Sequence, residues 1–521
     1  MQSVARANAP GIYKALMKSL VFENISLQQM QQKIVGFGCD GASVNTGSVS
    51  GVITLLQTNI SKEIVLVKCL AHRLELAFKD AIKGIHLYTK LNTLLTELFK
   101  FYHTSSLQTE NLKQTFRALG LQTALPHRVG GTRWVSHVLG ALIQVWKGYA
   151  AYVKHLGQVA SEHSNKKQPK AKHLSMLLSS KELVVFGNFL TDVLTVISTL
   201  SQQLQRDETG IYHSHEQIQA TIMVVKKYKE REGPYLRSVF EKEEYKGYTL
   251  KGTVNFESVR IKVVDAMVGC LEKRFSDIDI GLLAATKLAN FSTWPTVFNE
   301  SNKDFGDEHV ATLTDHFSQT LQQQGVNPAV VELEWNILRS SLYNNHTVAD
   351  LTWPAVNKIL GNECKNILAL VDLVLSLPAS SAVCERGFSL MKQTKTEYRN
   401  RLHTKTLSNL LMVKLHTKNE KEYDPTSAIH YWNTGGPKKR RHNFMEDRSN
   451  QLSDSSNQAG SSDQAVLVEE QDETGVAIAD KDKMLSDSDS DWSDYGSCSE
   501  MEEEDDVLTL EAACEDLGFE D

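Results

Sequence analysis

Runs that favour β-structure are confined to the first seventy residues of this chain of 521, and that confinement limits what it can build. Apolar positions at helical spacing (Ile12, Leu16, Leu20) precede Lys33 to Gly38, Lys-Ile-Val-Gly-Phe-Gly, which reads as a short strand ending at Asp40. A helical pattern from Gly47 to Ile60, a second apolar strand from Ile64 to Lys68 and an amphipathic helix from Ala71 to Lys83 follow. Strand alternating with helix is the pattern of an α/β layer. From about residue 85 to residue 375 no strand signal appears. Phe186, Phe189, Leu190, Val193, Ile197, Leu200 and Leu204 keep one apolar face, and Val259, Val263, Met267, Cys270 and Leu271 do the same. The expected architecture is a small α/β layer joined to a large all-helical region. The polar stretches Ser161 to Lys172 and Gln205 to His215 read as surface loops, the second holding His213-x-His215.

Trp353-Pro354 opens the last folded segment. An apolar helix from Ala355 to Ser376 stops at Leu377-Pro378, because proline cannot continue the hydrogen-bond ladder. One helix carrying Glu385 and another from Thr404 to about His416 follow. From about Lys418 the sequence turns to Ser, Asp, Glu, Gln and Gly, which cannot bury enough apolar surface to offset chain entropy, so disorder is expected there. The formal net charge of −7 averages two opposite parts. Residues 446–521 carry 25 acidic against 3 basic residues, a net of −22, and the other 445 carry 53 basic against 38 acidic, a net of +15. A basic body fits a polyanionic partner, and plain solubility is the competing explanation. The best apolar runs are interrupted by Asp192 and Asp372, and no secretory signal is evident, so no membrane partner is expected. Seven cysteines scattered along the chain form no disulfide framework and fit a reducing compartment.

Four motifs stand out: Cys39-Asp40-Gly41-Ala42-Ser43, Cys69-x-x-His72, Thr132-Arg133-Trp134-Val135-Ser136, and Ser380-Ser381-Ala382-Val383-Cys384-Glu385-Arg386-Gly387-Phe388-Ser389. The last places Glu385 beside Arg386 at the start of a helix within an apolar segment, where a carboxylate needs a partner or a task. As a set they resemble the signature motifs of hAT-superfamily DNA transposases, over roughly residues 10 to 418. The resemblance implies an RNase H-like core in which three carboxylates hold two divalent metals about 4 Å apart. Asp40 matches the second family carboxylate and Glu385 the third. The first belongs on an upstream strand, but residues 1–39 contain no Asp and only Glu23 as an acid. The triad is therefore expected to be incomplete and the protein non-catalytic. No cofactor is expected, Mg²⁺ entering only if the chain is active. The family's amino-terminal zinc-binding DNA-recognition module is also expected to be absent.

By the same resemblance His72 contacts phosphate, Trp134 stacks on a flipped base, and Arg133 and Arg386 are DNA-binding. A core tryptophan is the alternative for Trp134. For the Cys69 and His72 pair, half a zinc site without its other half, the alternative is a buried thiol and a helix-start histidine, so no metal is expected. The segment 351–418 resembles the hAT dimerisation region, with Leu407, Leu410, Leu411 and Leu415 as an apolar stripe. Lys438, Lys439, Arg440 and Arg441 form a basic cluster of the kind nuclear import receptors read, which points to the nucleus. The expected organisation is a partial RNase H-like core (10–135), a helical insertion (136–350), a dimerisation region completing the core (351–418) and a tail with the basic cluster and an acidic region (419–521). The expected function is a transposase-derived nuclear protein that homodimerises and associates with DNA nonspecifically. A transposase completed by a partner and an interaction scaffold without DNA binding are the alternatives.

Overall fold

The structure, a computed structural model, describes residues 4–434 apart from 5, 131–132, 163–165, 207–209, 397–398, 400 and 418–422. The chain divides into two compact units, one running to Arg386 and the other beginning at Gly387.

The first unit opens with the helix Ala9–Phe22 and the helix Leu27–Lys33, whose start is fixed by a reciprocal capping box between Ser26 and Gln29. Strand β1 (Gly36–Cys39) pairs in parallel with β2 (Val65–Lys68), in the register Gly36 to Val65 and Cys39 to Lys68. The strand expected at Lys33 therefore begins three residues later, because Lys33 closes a capped helix. Successive side chains alternate faces. Val65 and Val67 face the main core, whereas Phe37 and Leu66 pack against a smaller cluster of Met30, Ile53, Leu56, Ile60 and Ile64. Both faces of this small parallel sheet are thus covered, as such sheets require.

The cover over the valine face comes from far away in sequence. Gly36 and Gly38 lie on that face, and a β-carbon at Gly36 would meet Leu377 Cδ2 at 2.9 Å, and one at Gly38 would meet Pro378 Cβ and Cγ at 3.0 Å. The missing side chains are what let Leu377-Pro378 lie directly on the strand. Leu70 N–H donates to Ala379 O at 3.3 Å beside this contact.

Beyond the sheet the unit is helical, with its centre at the helix Lys181–Leu204. This helix is long and apolar enough to cross a membrane, yet 78% of its most apolar window is buried inside the protein. Its buried residues Thr191, Asn188 and Asp192 are hydrogen-bonded. Thr191 Oγ accepts from Trp146 Nε1 at 2.8 Å, Tyr245 OH donates to Asn188 at 3.3 Å, and Asp192 accepts from two backbone amides, Tyr235 N at 3.0 Å and Leu236 N at 2.8 Å. Gly187 admits the indole, since a β-carbon there would lie 2.5 Å from Trp146 Cζ2.

Asp192 is one of three buried acids that cap a helix remote in sequence. Glu334 accepts from Asn366 N at 2.7 Å and Ile367 N at 3.0 Å at the start of the helix Lys365–Leu375. This cap explains why the single helix expected from Ala355 to Ser376 is two, Trp353–Leu360 and Lys365–Leu375, broken at Gly361. The third is Glu75, whose carboxylate accepts from Val135 N at 2.8 Å.

Three further expectations are corrected. A four-residue antiparallel hairpin, Glu244–Tyr245 with Tyr248–Thr249, lies in the region expected to lack strands. Its turn places Lys246 and Gly247 at positive φ, the geometry a tight hairpin demands. The loop expected to Lys172 already contains the start of the helix Gln168–Ser179, where Pro169 suits a first turn. His213 and His215 are helical, within Ile211–Lys227, and His215 Nδ1 lies 3.0 Å from Asp279. The outcome is an α-rich protein with a small parallel sheet, as anticipated in outline.

In the second unit the described regular elements after Gly387 are the rest of the helix Ala382–Thr394, the helix Thr404–His416 and the helix Thr426–Thr434. The basic cluster Lys438, Lys439, Arg440 and Arg441 and the acidic tail lie outside the described residues.

Candidate functional site

Asp40 stands where the chain leaves β1. Its Oδ1 accepts from Ala42 N at 3.1 Å and from Asn45 Nδ2 at 2.7 Å, a local turn that starts the short helix Ser43–Thr46. This is the side chain-to-backbone bonding an aspartate makes at a turn.

The ends of both strands meet at the cysteines. Cys69 N–H donates to Cys39 O at 2.7 Å, and Ser381 N–H donates to Cys69 Sγ at 3.3 Å. Burial, reinforced by Asp40 and Cys69, pushes the Cys39 thiol up to about 11, so it is a neutral packing group. His72 follows half-buried in the first turn of the helix Leu70–Ile82. Next to it Arg73 is buried, donating through Nε to Arg274 O at 2.8 Å and pairing with Asp277, which fixes this helix against Glu257–Phe275.

The centre of the site is a group that sequence reasoning missed. Glu75 is buried. Its Oε2 takes the Val135 amide at the start of the helix Trp134–Ser161, whose own N-cap residue, Arg133, supplies no side-chain cap. Its Oε1 is buried without a hydrogen-bond partner. Burial pushes the Glu75 carboxyl up to about 7, against the pull of the Val135 and Trp134 amides and of Arg133, with Glu385 adding to the rise. A signal was present: Ala71, Leu74, Glu75 and Phe78 share one helix face, so an acid interrupts an apolar stripe.

Arg133 Nη2 lies 3.2 Å from Glu385 Oε2, and Ser381 Oγ donates to Glu385 Oε1 at 3.3 Å. The pair is 40% and 37% exposed. That exposure corrects the expectation of a buried carboxylate: the first turns of the helix Ala382–Thr394 are open, with Val383 and Phe388 both exposed. A pair so solvated contributes at most about 1 kcal/mol. Arg386 Nη1 donates to Gln205 O at 3.1 Å. Trp134 is half-buried against the core, and the Lys79 ammonium sits 4.6 Å from its ring centre, so a cation already occupies the ring.

The structure thus brings Arg133, Glu385 and Glu75 together. Asp40 is held in its own turn. Among the described residues no three His, Cys, Asp or Glu side chains converge to hold a metal ion.

The stripe expected on the helix Thr404–His416 is divided. Leu407 and Leu411 are buried, Leu410 is half-buried and Leu415 is exposed, with Met412 and Val413 exposed beside it. Residues 358–416 match the hAT family C-terminal dimerisation region. That stretch of the chain is similar to the dimerisation region of hAT-family proteins. The hAT region takes in the end of the helix Trp353–Leu360, the helix capped by Glu334, the helix bearing Glu385 and Arg386, and the helix carrying the four leucines. It also contains Leu377-Pro378, the pair that lies on β1.

Proposed function

We propose that this chain is a transposase-derived nuclear protein that works as a homodimer, associates with DNA nonspecifically, and does not cleave or join strands. The observation that carries the reading is the match of residues 358–416 to a dimerisation region, in a chain whose two matched motif acids are otherwise engaged. Glu385 is paired with Arg133, and Asp40 serves a turn. The two-stranded parallel sheet with Asp40 at its carboxyl end is compatible with part of an RNase H-like core. The net charge of +15 outside residues 446–521 supports a phosphate-rich partner, and the Lys438 to Arg441 cluster supports nuclear import. A second reading, a transposase completed by a partner, is favoured by one feature only: acids stand at both matched motif positions, Asp40 and Glu385.

Two measurements test the proposal. Light scattering of the full chain should give twice the mass of one chain, and Met412→Asp with Leu415→Asp should reduce that mass. A monomeric wild type at all concentrations removes the dimer from the proposal. Filter binding of duplex DNA across a salt series should show affinity falling as salt rises. Deleting residues 446–521, a net of −22 tethered to a body of +15, should tighten binding most at low ionic strength, where screening acts over about 30 Å. No binding at any salt concentration would leave a scaffold without DNA. Strand transfer with Mg²⁺ that disappears on Glu385→Ala would establish the enzyme instead.

A further inference from the structure

One helix holds three sides of a cleft that lies apart from Glu75, Arg133 and Glu385. Thr191, Asn188 and Asp192 of the helix Lys181–Leu204 fix, in turn, the Trp146 indole, the Tyr245 ring of the short hairpin and the start of the helix Pro234–Val239. Between these elements lies a cleft of about 310 Å³. Small-molecule sites begin at about 300 Å³ and are usually formed before the ligand arrives. This one is pinned from behind on each side.

Trp146 and Tyr245 are buried and make the floor, their ring centres 6.0 Å apart and their planes at 88°. Tyr235 stands half-buried at one side. The rim is cationic. Lys147, Ser238 and Lys246 are exposed there, and no acid is among the described residues that line the cleft. Lys246 occupies the hairpin turn at φ 50°. Its ammonium lies 5.7 Å from the Tyr245 ring centre and donates to Trp146 O, a carbonyl inside the helix Trp134–Ser161. Burial lowers this ammonium below its usual value, with no carboxylate offsetting the loss of water. Glu243, three residues earlier, is paired with Lys181 at 2.6 Å. A half-desolvated cation is stabilised by an anion, and an aromatic floor by a flat apolar group.

We propose that this cleft binds a small aromatic anion, its ring against Trp146, Tyr235 and Tyr245 and its charged group on Lys246 and Lys147. The site is independent of the dimer and DNA readings, since none of these residues lies in the matched segment 358–416.

The test uses the full chain and saturation-transfer NMR, with 2-naphthoate as the anionic probe and 2-naphthalenemethanol as its neutral counterpart. Naphthoate should bind with a dissociation constant of about 1 mM or below, ordinary for a ligand of this size. The neutral compound should bind about tenfold more weakly, because it lacks the charge-assisted hydrogen bond. Lys246→Gln should remove that difference by weakening naphthoate alone. Ser238→Tyr, which places a ring at the mouth, should weaken both. Titrating 5′-dTMP in the same way distinguishes the sources of such a ligand. Tighter binding than naphthoate, lost in Lys246→Gln, assigns the charge to a nucleotide phosphate, and weaker binding assigns it to a carboxylate. Equal affinity of wild type for naphthoate and its neutral counterpart overturns the proposal without any variant. Naphthoate affinity unchanged in both variants overturns it too, because the probe would then sit elsewhere, and so does the absence of naphthoate binding.

Discussion

Asp192→Ala should lower the stability of the protein by about 3 to 4 kcal/mol, because two amide N–H groups at the start of the helix Pro234–Val239 lose their acceptor together. Leu236 N is buried, and no side chain at its own N-cap position can replace the carboxylate. Burial raises the Asp192 carboxyl above its usual range, while the Leu236 and Tyr235 amides and Arg237 hold it down. Asp192→Asn keeps one accepting oxygen and should cost less, about 1 to 2 kcal/mol. The contact has a second side. A β-carbon at Gly233 would sit 2.2 Å from Asp192 Cγ, so Gly233→Ala should be destabilising by separating the same pair. Urea midpoints followed by tryptophan fluorescence measure all three. A loss below about 1 kcal/mol for Asp192→Ala would show that water replaces the cap without cost.

Glu75→Gln should stabilise the protein at pH 8 and leave it nearly unchanged at pH 5. The folded carboxyl is raised from 4.5 to about 7, so between these values the folded chain holds a proton that the unfolded chain has released. Stability contributed by this group is complete below pH 4.5 and is lost as pH rises through about 7. The full difference is about 3 kcal/mol. Glutamine keeps an oxygen for Val135 N and carries no charge, so it removes the penalty above pH 7, less the cost of its buried amide donors. The charged groups facing Glu75 are Arg133 and Glu385, and both remain in the variant. Subtracting wild type from variant across the pH range cancels every other titration. Equal destabilisation at pH 5 and pH 8 would mean that Glu75 is ionised in the folded state and acts as an ordinary charged cap.

These two acids also mark the boundary of what the sequence made legible. The apolar spacing located the helices Leu70–Ile82 and Thr404–His416 to within a residue or so, and β2 likewise, because periodicity is a local property. Asp192 was visible as a charge interrupting an apolar run, and Glu75 as an acid on an apolar face, but neither partner was visible. The amides they cap lie 43 and 44 residues away for Asp192 and 60 for Glu75, and no local pattern encodes such distances. The same holds for Glu334, whose bond to Ile367 spans 33 residues and splits a helix that composition alone would keep whole. The motif residues were partly legible. Arg133 and Glu385 meet across 252 residues, which the resemblance brings into one site, whereas the Lys79 ammonium against Trp134 depended on packing that no motif records.

The contact of Leu377-Pro378 with β1 sets an order of events for a chain being made. Gly36 and Gly38 leave the ribosome some 340 residues before the pair that covers them. At roughly 5 to 20 residues per second that is a delay on the order of tens of seconds. Throughout it, the face bearing Val65 and Val67 lacks this cover, and contacts so distant in sequence form late. A nascent chain should therefore engage chaperones until its last folded segment emerges. Any product terminated upstream of Leu377 should remain a chaperone client or aggregate, so the interval from residue 377 onward acts as the release signal for everything synthesised before it.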